Sequence, residues 1–434
     1  MLRAWILPNL VGSKTQPAPE GTENMKIKLL MSALAMVSVM AIAFSACTSD
    51  DGATDEDLAN AQATASAAQS ALGDANARAD AAEARADAAE KAADDAKMMA
   101  DEAMMSMDTG GRLAQVQDRG HVICASRNDV PGYGALDDSG RNVGFDIDLC
   151  RAVATAVLND PEAIEIQYIT AAERGPTIQS GEVDLLVRTV TWTTSRDAQW
   201  GNYAQTMFYD GQGFMVPASL GVESAYDLSG AAVCVTSGTT TELNMADFFR
   251  QNAMEYNPQV FEDTDVVLSS YESGACDVFT NDRSQLAALR TSLQNPDDHV
   301  ILPETISEEP LGPVVPHGDD QWFDIIKTVM SGLIYAEAYG INSGNVSAKA
   351  GGDDVKAKRL LGTEGTIGQE SLGLSETFMQ DVINAVGNYG EIYDRNLGPD
   401  GIDLPREGGR NALWSDAPCG DCPKGGQIYA APLR

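Results

Sequence analysis

Between residues 110 and 434 the apolar positions switch repeatedly between a period of two and a helical period, and each switch predicts an element. Residues 113–117 predict a short helix and 121–125 a first strand. Residues 128–141, rich in Gly and Asp, predict a loop. Residues 144–154 enter an amphipathic helix with Asp146 and Asp148 in its first turn, where acids complement the helix dipole. A second strand is expected at 165–169, then a helix at 172–180 that stops before Gly181. From Val183 to Asp197 a β-branched apolar run turns into Thr189, Thr191, Thr193 and finally Arg196. A strand that delivers hydroxyls and an Arg at its carboxyl end predicts a binding edge, because ligands of open α/β sheets sit just beyond those ends.

The pattern then restarts. Residues 211–216 predict a crossing strand, 231–236 a strand, 242–250 a helix, 260–261 a strand, 265–273 a helix and 276–280 another strand. The Pro-rich apolar run 309–315 suits a second crossing, and two crossings imply a hinge between two lobes. Helices are expected beyond it at 321–338, 355–361 and 375–388. Strands alternating with helices at this spacing predict an α/β fold built from parallel βαβ units. In the second unit, Thr236-Ser-Gly-Thr-Thr-Thr-Glu242 lies where a strand meets a helix, so its N–H groups and hydroxyls either receive an anion or cap the helix. Asn281 and Asp282 put a carboxylate at another strand end. Arg196 is either half of a structural ion pair or a planar fork for a ligand carboxylate. Facing an Asp that can take an ammonium, the second reading fits the backbone of a free amino acid.

Residues 1–47 read as an address. Residues 1–24 have no periodicity, whereas Met25-Lys-Ile-Lys opens a basic start, an apolar run over 29–44 and Ser45-Ala-Cys47, which together form a secretory signal. The small residues before Cys47 resemble a bacterial lipoprotein signal, whose cysteine becomes the lipidated first residue; the alternative is an ordinary cleaved signal. A lipid would tie the chain to a membrane face without spanning it. No later run is long and apolar enough to cross a bilayer. Residues 48–109 form an Ala-rich spacer in which residues 77–83 recur letter for letter as 84–90. Asp74 with Arg78, and Asp87 with Lys91, lie one helical turn apart. A helix of about 50 residues spans about 75 Å, either as a solvated single helix or as an alanine-seamed coiled coil. The expected domains are thus 1–47, 48–109, a first lobe from 110–213 and 312–434, and a second lobe from 214–311.

Composition narrows the chemistry. The chain has 434 residues, 44% of them hydrophobic, enough for cores in two or three domains. Its 29 Lys+Arg against 64 Asp+Glu give a net charge of -35, which argues against nucleic acid or an anionic membrane surface as partner and reads as a solubility adaptation. The histidines, His121, His299 and His317, are scattered, and no HExxH, GxSxG or phosphate-binding glycine loop is present, so neither a metal nor a cofactor is expected. Six cysteines follow Cys47, an even number in a secreted chain. Cys124 with Cys150 and Cys234 with Cys276 can meet within a lobe each. Cys419-Gly-Asp-Cys422 reads as a small loop disulfide rather than a redox motif or half a metal site.

Seven segments then converge: Gly144-Phe-Asp-Ile-Asp-Leu149, Gln179-Ser-Gly-Glu-Val-Asp184, Thr191-Trp-Thr-Thr-Ser-Arg-Asp197, Tyr209-Asp-Gly-Gln-Gly-Phe-Met215, Ser237-Gly-Thr-Thr-Thr-Glu-Leu243, Asp319-Asp-Gln-Trp-Phe323 and Gly387-Asn-Tyr-Gly-Glu391. Together they resemble the periplasmic general L-amino-acid-binding proteins of ABC importers for polar amino acids. The resemblance implies a type II periplasmic binding protein, two α/β lobes that close about a two-strand hinge on one L-amino acid and present it to a membrane permease. By motif, Arg196 is expected to hold the α-carboxylate, Thr191 and the backbone at Thr189 to line the first lobe, and Thr240 to add a second-lobe contact. Asp282 is expected to take the α-ammonium, with Tyr133 and Trp192 lining the side-chain pocket. The Ala-rich segment and Cys47 depart from a freely diffusing member. Rival readings are a lipid-tethered, dehydratase-like enzyme of the same fold acting on an amino-acid-like carboxylate, a ligand-sensing receptor component, and an envelope spacer.

Overall fold

The computed structural model describes residues 111–406, 409–416 and 426–433, together with six isolated positions, Ala63, Ser66, Ala67, Ser70, Gly73 and Lys91, all of them helical and exposed. Cys47, Cys419, Cys422 and the rest of the expected long helix lie outside the described residues.

Helix α1 (Arg112–Arg119) leads into β1 (Val122–Ser126), after which β2 (Asp129–Val130), β3 (Gly134–Leu136) and β4 (Asn142–Val143) form a small antiparallel sheet. Helix α2 (Phe145–Leu158) follows, buried over almost its whole length, then β5 (Ile164–Tyr168), α3 (Arg174–Ser180), β6 (Leu185–Leu186), α4 (Thr194–Gln199) and β7 (Asn202–Tyr203). Strand β8 (Phe208–Asp210) leaves this lobe and β9 (Gln212–Pro217) opens the next, which continues as β10 (Ala232–Thr236), α5 (Thr240–Gln251), β11 (Asn257–Phe261), α6 (Thr264–Glu272), β12 (Val278–Asp282), α7 (Arg283–Arg290) and β13 (His299–Ile301). The chain returns through β14 (Glu309–Leu311) and β15 (Val314–Val315).

The two sheets have matching orders, β5-β1-β6-β15-β7 and β11-β10-β12-β9-β13. In each, three parallel strands are followed by two antiparallel ones. Two mixed sheets of this order, joined by crossing strands, are the two-lobed type II arrangement. Helix α8 (Asp320–Ala338) packs on the first lobe, and its fully buried Trp322 donates from Nε1 to the carbonyl of Asp184 at 2.8 Å. Shorter helices α9 (Val346–Ala350), α10 (Val355–Leu360), α11 (Gln369–Leu372), α12 (Phe378–Val386) and α13 (Tyr389–Asn396) surround it.

The crossings β8 and β14 pair antiparallel, with Phe208 opposite Leu311, Tyr209 opposite Pro310 and Asp210 opposite Glu309. Pro310 has no N–H to give, so it is tolerated where its backbone faces outward. Its carbonyl accepts from the backbone of Trp192 at 2.8 Å. Tyr209 faces outward on the other edge, where the Asn411 side chain accepts from its N–H at 2.7 Å and donates to its carbonyl at 3.1 Å.

The stretch 128–141, expected as a loop, carries β2 and β3, and two further elements differ from expectation. The apolar run from Val183 is buried, but its strand assignment shrinks to Leu185–Leu186, with ladder bonds continuing from the N–H groups of Asp184 and Val187 to β1. Thr189, at φ +43°, then turns the chain out of the extended region. Strand β12 sits two residues later than 276–280, because its pairing with β9 continues to Asp282 opposite Gln212; Asp282 therefore belongs to the strand end itself.

Cys124 on β1 is joined to Cys150 on α2, and Cys234 on β10 to Cys276 before β12, at Cα separations of 6.3 and 5.7 Å. With 26 and 42 residues between partners, loop closure in the unfolded chain corresponds to about 3.5 and 4 kcal/mol of stabilisation. Replacing Cys234 and Cys276 together by Ser is expected to lower the urea unfolding midpoint in proportion, and a midpoint equal to that of the oxidised parent would overturn the assignment.

Candidate functional site

The carboxyl ends of the parallel strands of both sheets point at one narrow cleft. The first lobe supplies Arg127 just past β1, Arg174 at the start of α3, and Arg188, Thr189 and Thr191 just past β6. From the second lobe come Thr236 at the end of β10, Thr239 to Thr241 at the start of α5, Thr264 at the start of α6, Asp282 at the end of β12 and Gln285 in α7. The topology of parallel sheets, which gathers strand ends on one side, is thus what brings residues far apart in sequence together.

Positive charge dominates the first lobe's wall. Arg127 forms an ion pair from Nε to Asp129 at 2.6 Å. Burial alone would raise Asp129, yet the guanidinium overrides it and holds the carboxyl at about 2. Arg174 donates to the carbonyls of Ala171 at 2.8 Å and Gly238 at 3.2 Å, and Arg188 donates to the carbonyl of Ile169 at 2.8 Å. Among the described residues neither of these, nor Arg196, has a carboxylate within ion-pair distance. Burial accordingly lowers all three, Arg174 well below the ordinary range and Arg188 to about 9. Cations removed from water without a counter-ion favour an incoming anion.

The second lobe offers an acid. Asp282 is 3% exposed; its Oδ2 accepts from Gln285 Nε2 at 2.7 Å, whereas its buried Oδ1 has no partner. Burial, with Asp210 and Glu309 nearby, pushes this carboxyl well above its ordinary value. Beside it a chain of hydroxyls spans the lobes. Thr240 donates to Glu309 at 2.9 Å, so its contact with Thr191 at 3.4 Å is one in which Thr191 gives the hydrogen. At the hinge Tyr133 donates to Ser284 at 2.6 Å, and Ser284 donates in turn to Asp210. Burial raises Asp210 to about 6.

These contacts describe a closed molecule. Gly238 marks how tightly the lobes meet, since a Cβ there would lie 2.9 Å from the Ala172 backbone, at φ +69°.

Thr189, Thr191, Thr240 and Asp282 line the cleft. Thr189 does so differently from expectation, because its backbone N–H is taken by Asp146 Oδ2 at 2.8 Å, leaving the hydroxyl to face inward. Arg196 is not on the wall. Its Nη1 donates to the carbonyl of Thr191 at 3.2 Å, and its guanidinium lies 4.7 Å above the Trp200 ring. Tyr133 packs instead in a small, mainly apolar niche with Phe145 and Phe208. Trp192 is 44% exposed and stacks on Tyr203 outside the cleft. The residues that sequence reading missed are Arg127, Arg174, Arg188, Thr264 and Gln285. Arg127 and Arg188 carry the same signal that singled out Arg196, an Arg just past an apolar strand.

Two mixed α/β lobes, a two-strand hinge and a closed polar cleft between strand ends define an extracytoplasmic solute-binding protein. Residues 122–340 match the model for bacterial extracellular solute-binding proteins, family 3, and the chain belongs to that family, one of binding proteins rather than enzymes. It is 48% identical over 325 residues to the general L-amino acid-binding periplasmic protein AapJ of Rhizobium johnstonii, covering 74% of this chain and 92% of the relative. It is 45% identical over 325 residues to the glutamate/glutamine/aspartate/asparagine-binding protein BztA of Rhodobacter capsulatus, covering 74% and 93%. A solved ABC transporter periplasmic binding protein from Brucella ovis, with glutathione bound, superposes with a TM-score of 0.70 at 45% identity, covering 74% of this chain and 99% of that one. The chain is accordingly a bacterial extracellular solute-binding protein.

Asp146, buried in the first turn of α2, is raised by burial from 3.8 to about 7. A carboxyl so raised contributes stability that is complete below its unfolded pKa and lost as pH climbs to the folded one. Asp146→Asn keeps the acceptor for Thr189 and cannot ionise. It is expected to melt above the parent at about pH 8, with the gap closing by about pH 4; a gap independent of pH would refute the assignment.

Proposed function

We propose that the cleft takes the zwitterion of an L-amino acid by hinge closure, across a broad range of polar side chains, with no covalent step. The observation that carries this reading is the pairing of buried, uncompensated guanidiniums on one lobe with the partnerless Oδ1 of Asp282 on the other. Such charges are worth little to a ligand in open water and much more once closure excludes solvent. Asp282 takes the α-ammonium, and the hydroxyls of Thr191 and Thr240 flank the ligand between the lobes. Arg196 takes the α-carboxylate by exchanging the Thr191 carbonyl for it. Arg174 and Arg188, on the wall itself, suit a second acceptor such as a side-chain carboxylate or amide. The names of the relatives, a general L-amino-acid binder and a binder of glutamate, glutamine, aspartate and asparagine, support breadth. Tyr133 acts at the hinge through Ser284 in this reading, and Trp192 contributes little.

The amino-terminal region extends the proposal. Cys47 carries the lipid, residues 48–109 form the helical spacer, and the binding lobes stand off the membrane where the permease collects the ligand. Cys47→Ala is expected to move the protein from the membrane fraction to the soluble periplasmic fraction, and continued sedimentation with membranes would sink the anchor.

A thermal-shift panel of the twenty amino acids is expected to show stabilisation by several polar ones, L-glutamate among them. Losing a hydrogen-bonded charge partner costs about 3 kcal/mol, or about 100-fold in affinity. Arg196→Ala is expected to weaken L-glutamate binding by that much in calorimetry, against less than about threefold for Trp192→Ala, whose exposed ring stacks on Tyr203. Equal affinities for Arg196→Ala and the parent would refute the carboxylate assignment.

A further inference from the structure

One line of donors crosses the cleft without a break. Arg127, on the first lobe, donates from Nη1 to Gln285 Oε1 at 2.8 Å and from Nη2 to Thr264 Oγ1 at 2.9 Å, both on the second lobe. Its Nη1 also reaches Thr189 on its own lobe at 3.2 Å, and its Nε is held by Asp129. Gln285 in turn donates from Nε2 to Asp282 Oδ2 at 2.7 Å. The direction of this line is fixed by chemistry, because a guanidinium can only donate and a carboxylate only accept. Gln285 must therefore turn its oxygen to Arg127 and its amide hydrogens to Asp282. Arg127, Thr264, Gln285 and Asp282 are all buried, which shields these bonds from bulk water.

We propose that Arg127 is a positioning residue that, through Gln285, fixes the carboxylate of Asp282 so that Oδ1 faces the cleft only when the lobes are closed. Opening separates Arg127 from Gln285 and Thr264. The freed amide then has no reason to hold one face toward Asp282, and the acid turns to solvent. Closure and recognition of a ligand's ammonium are in this way one event rather than two, since the acceptor is aimed only by the contact that closure makes. Arg127 itself need not touch the ligand. The inference rests on the reading that the cleft binds amino acids through Asp282, and it assigns that reading a conformational trigger.

The test compares L-glutamate with glutarate, which has the two carboxylates and lacks the ammonium. For the parent, the ratio of the two dissociation constants is expected to be about 100 or more, the worth of a buried charged hydrogen bond. Gln285→Met keeps Arg127 paired with Asp129 and the fold intact, as a ligand-free melting curve checks, and is expected to cut the ratio at least tenfold (on the order of 1.4 kcal/mol), the loss falling more heavily on L-glutamate than on glutarate. Arg127→Met is expected to do the same, and the double variant to fall no further than the lower single variant, because both break one line. Arg127→Lys, which keeps the charge and loses the fork, is expected to leave the ratio near that of Arg127→Met. A merely structural role predicts equal losses for both compounds and additive effects, and either result overturns the proposal. A parent that binds both compounds alike also overturns it. A parent that binds neither compound, nor any of the twenty amino acids, refutes the amino-acid reading itself, whereas a binding parent with unaltered ratios in all variants refutes the relay alone.

Discussion

The burial of three guanidinium groups on the wall of a single cleft, with a fourth, Arg196, bonded to the carbonyl of Thr191, is the constraint to which the first lobe answers. Each costs several kcal/mol to remove from water, and only a rigid frame of acceptors makes the arrangement tolerable. Arg127 has Asp129; Arg174, Arg188 and Arg196 have little on their own lobe beyond backbone carbonyls, supplied by Ala171, Ile169 and Thr191. Those carbonyls must stay put. The Cys124–Cys150 bridge locks β1 to α2, and the buried Asp184 ties the start of β6 to the backbone of Ile123 at 2.7 Å while α8 closes over it through Trp322. The lobe's stiffness and its electrostatics are consequently one property.

That cationic pocket sits inside a chain of net charge -35. The contradiction is only apparent in bulk terms. Exposed carboxylates act through water and salt, where their field decays within about 8 Å at physiological ionic strength. The arginines act at contact distance in a site that closure dries. A strongly acidic surface can therefore keep the protein soluble without cancelling the attraction felt by an anion already in the cleft.

Much of the fold was legible because its signals are local. The alternation of short apolar strands with amphipathic helices, the two crossing runs and the Cys pairs Cys124–Cys150 and Cys234–Cys276 follow from spacing within a few dozen residues. What escaped is what depends on pairing at a distance. Nothing in the letters of Val314 and Val315 announces that they slot between β6 and β7, nor that β12 extends to Asp282 because Gln212 lies opposite. The site divides the same way. Thr191, Thr240 and Asp282 stand at strand or helix ends and were visible; Arg127 and Arg188 stand at equivalent ends with the same signal, but the motif resemblance points to Arg196 alone. Gln285 had no signal at all, being one polar residue in a helix until the opposite lobe gives it a partner. Trp192 illustrates the reverse error, an aromatic beside the site whose ring stacks on Tyr203 and faces solvent.

The hinge ribbon has one more property that follows from how its outward groups are spoken for. A two-stranded β ribbon normally displays an open row of donors and acceptors on each side, an invitation to any passing strand. Here Pro310 offers no hydrogen and its oxygen is engaged by Trp192, while the amide of Asn411 occupies both polar atoms of Tyr209. The joint between the lobes thereby leaves neither Pro310 nor Tyr209 a free backbone group with which to recruit a neighbour's strand.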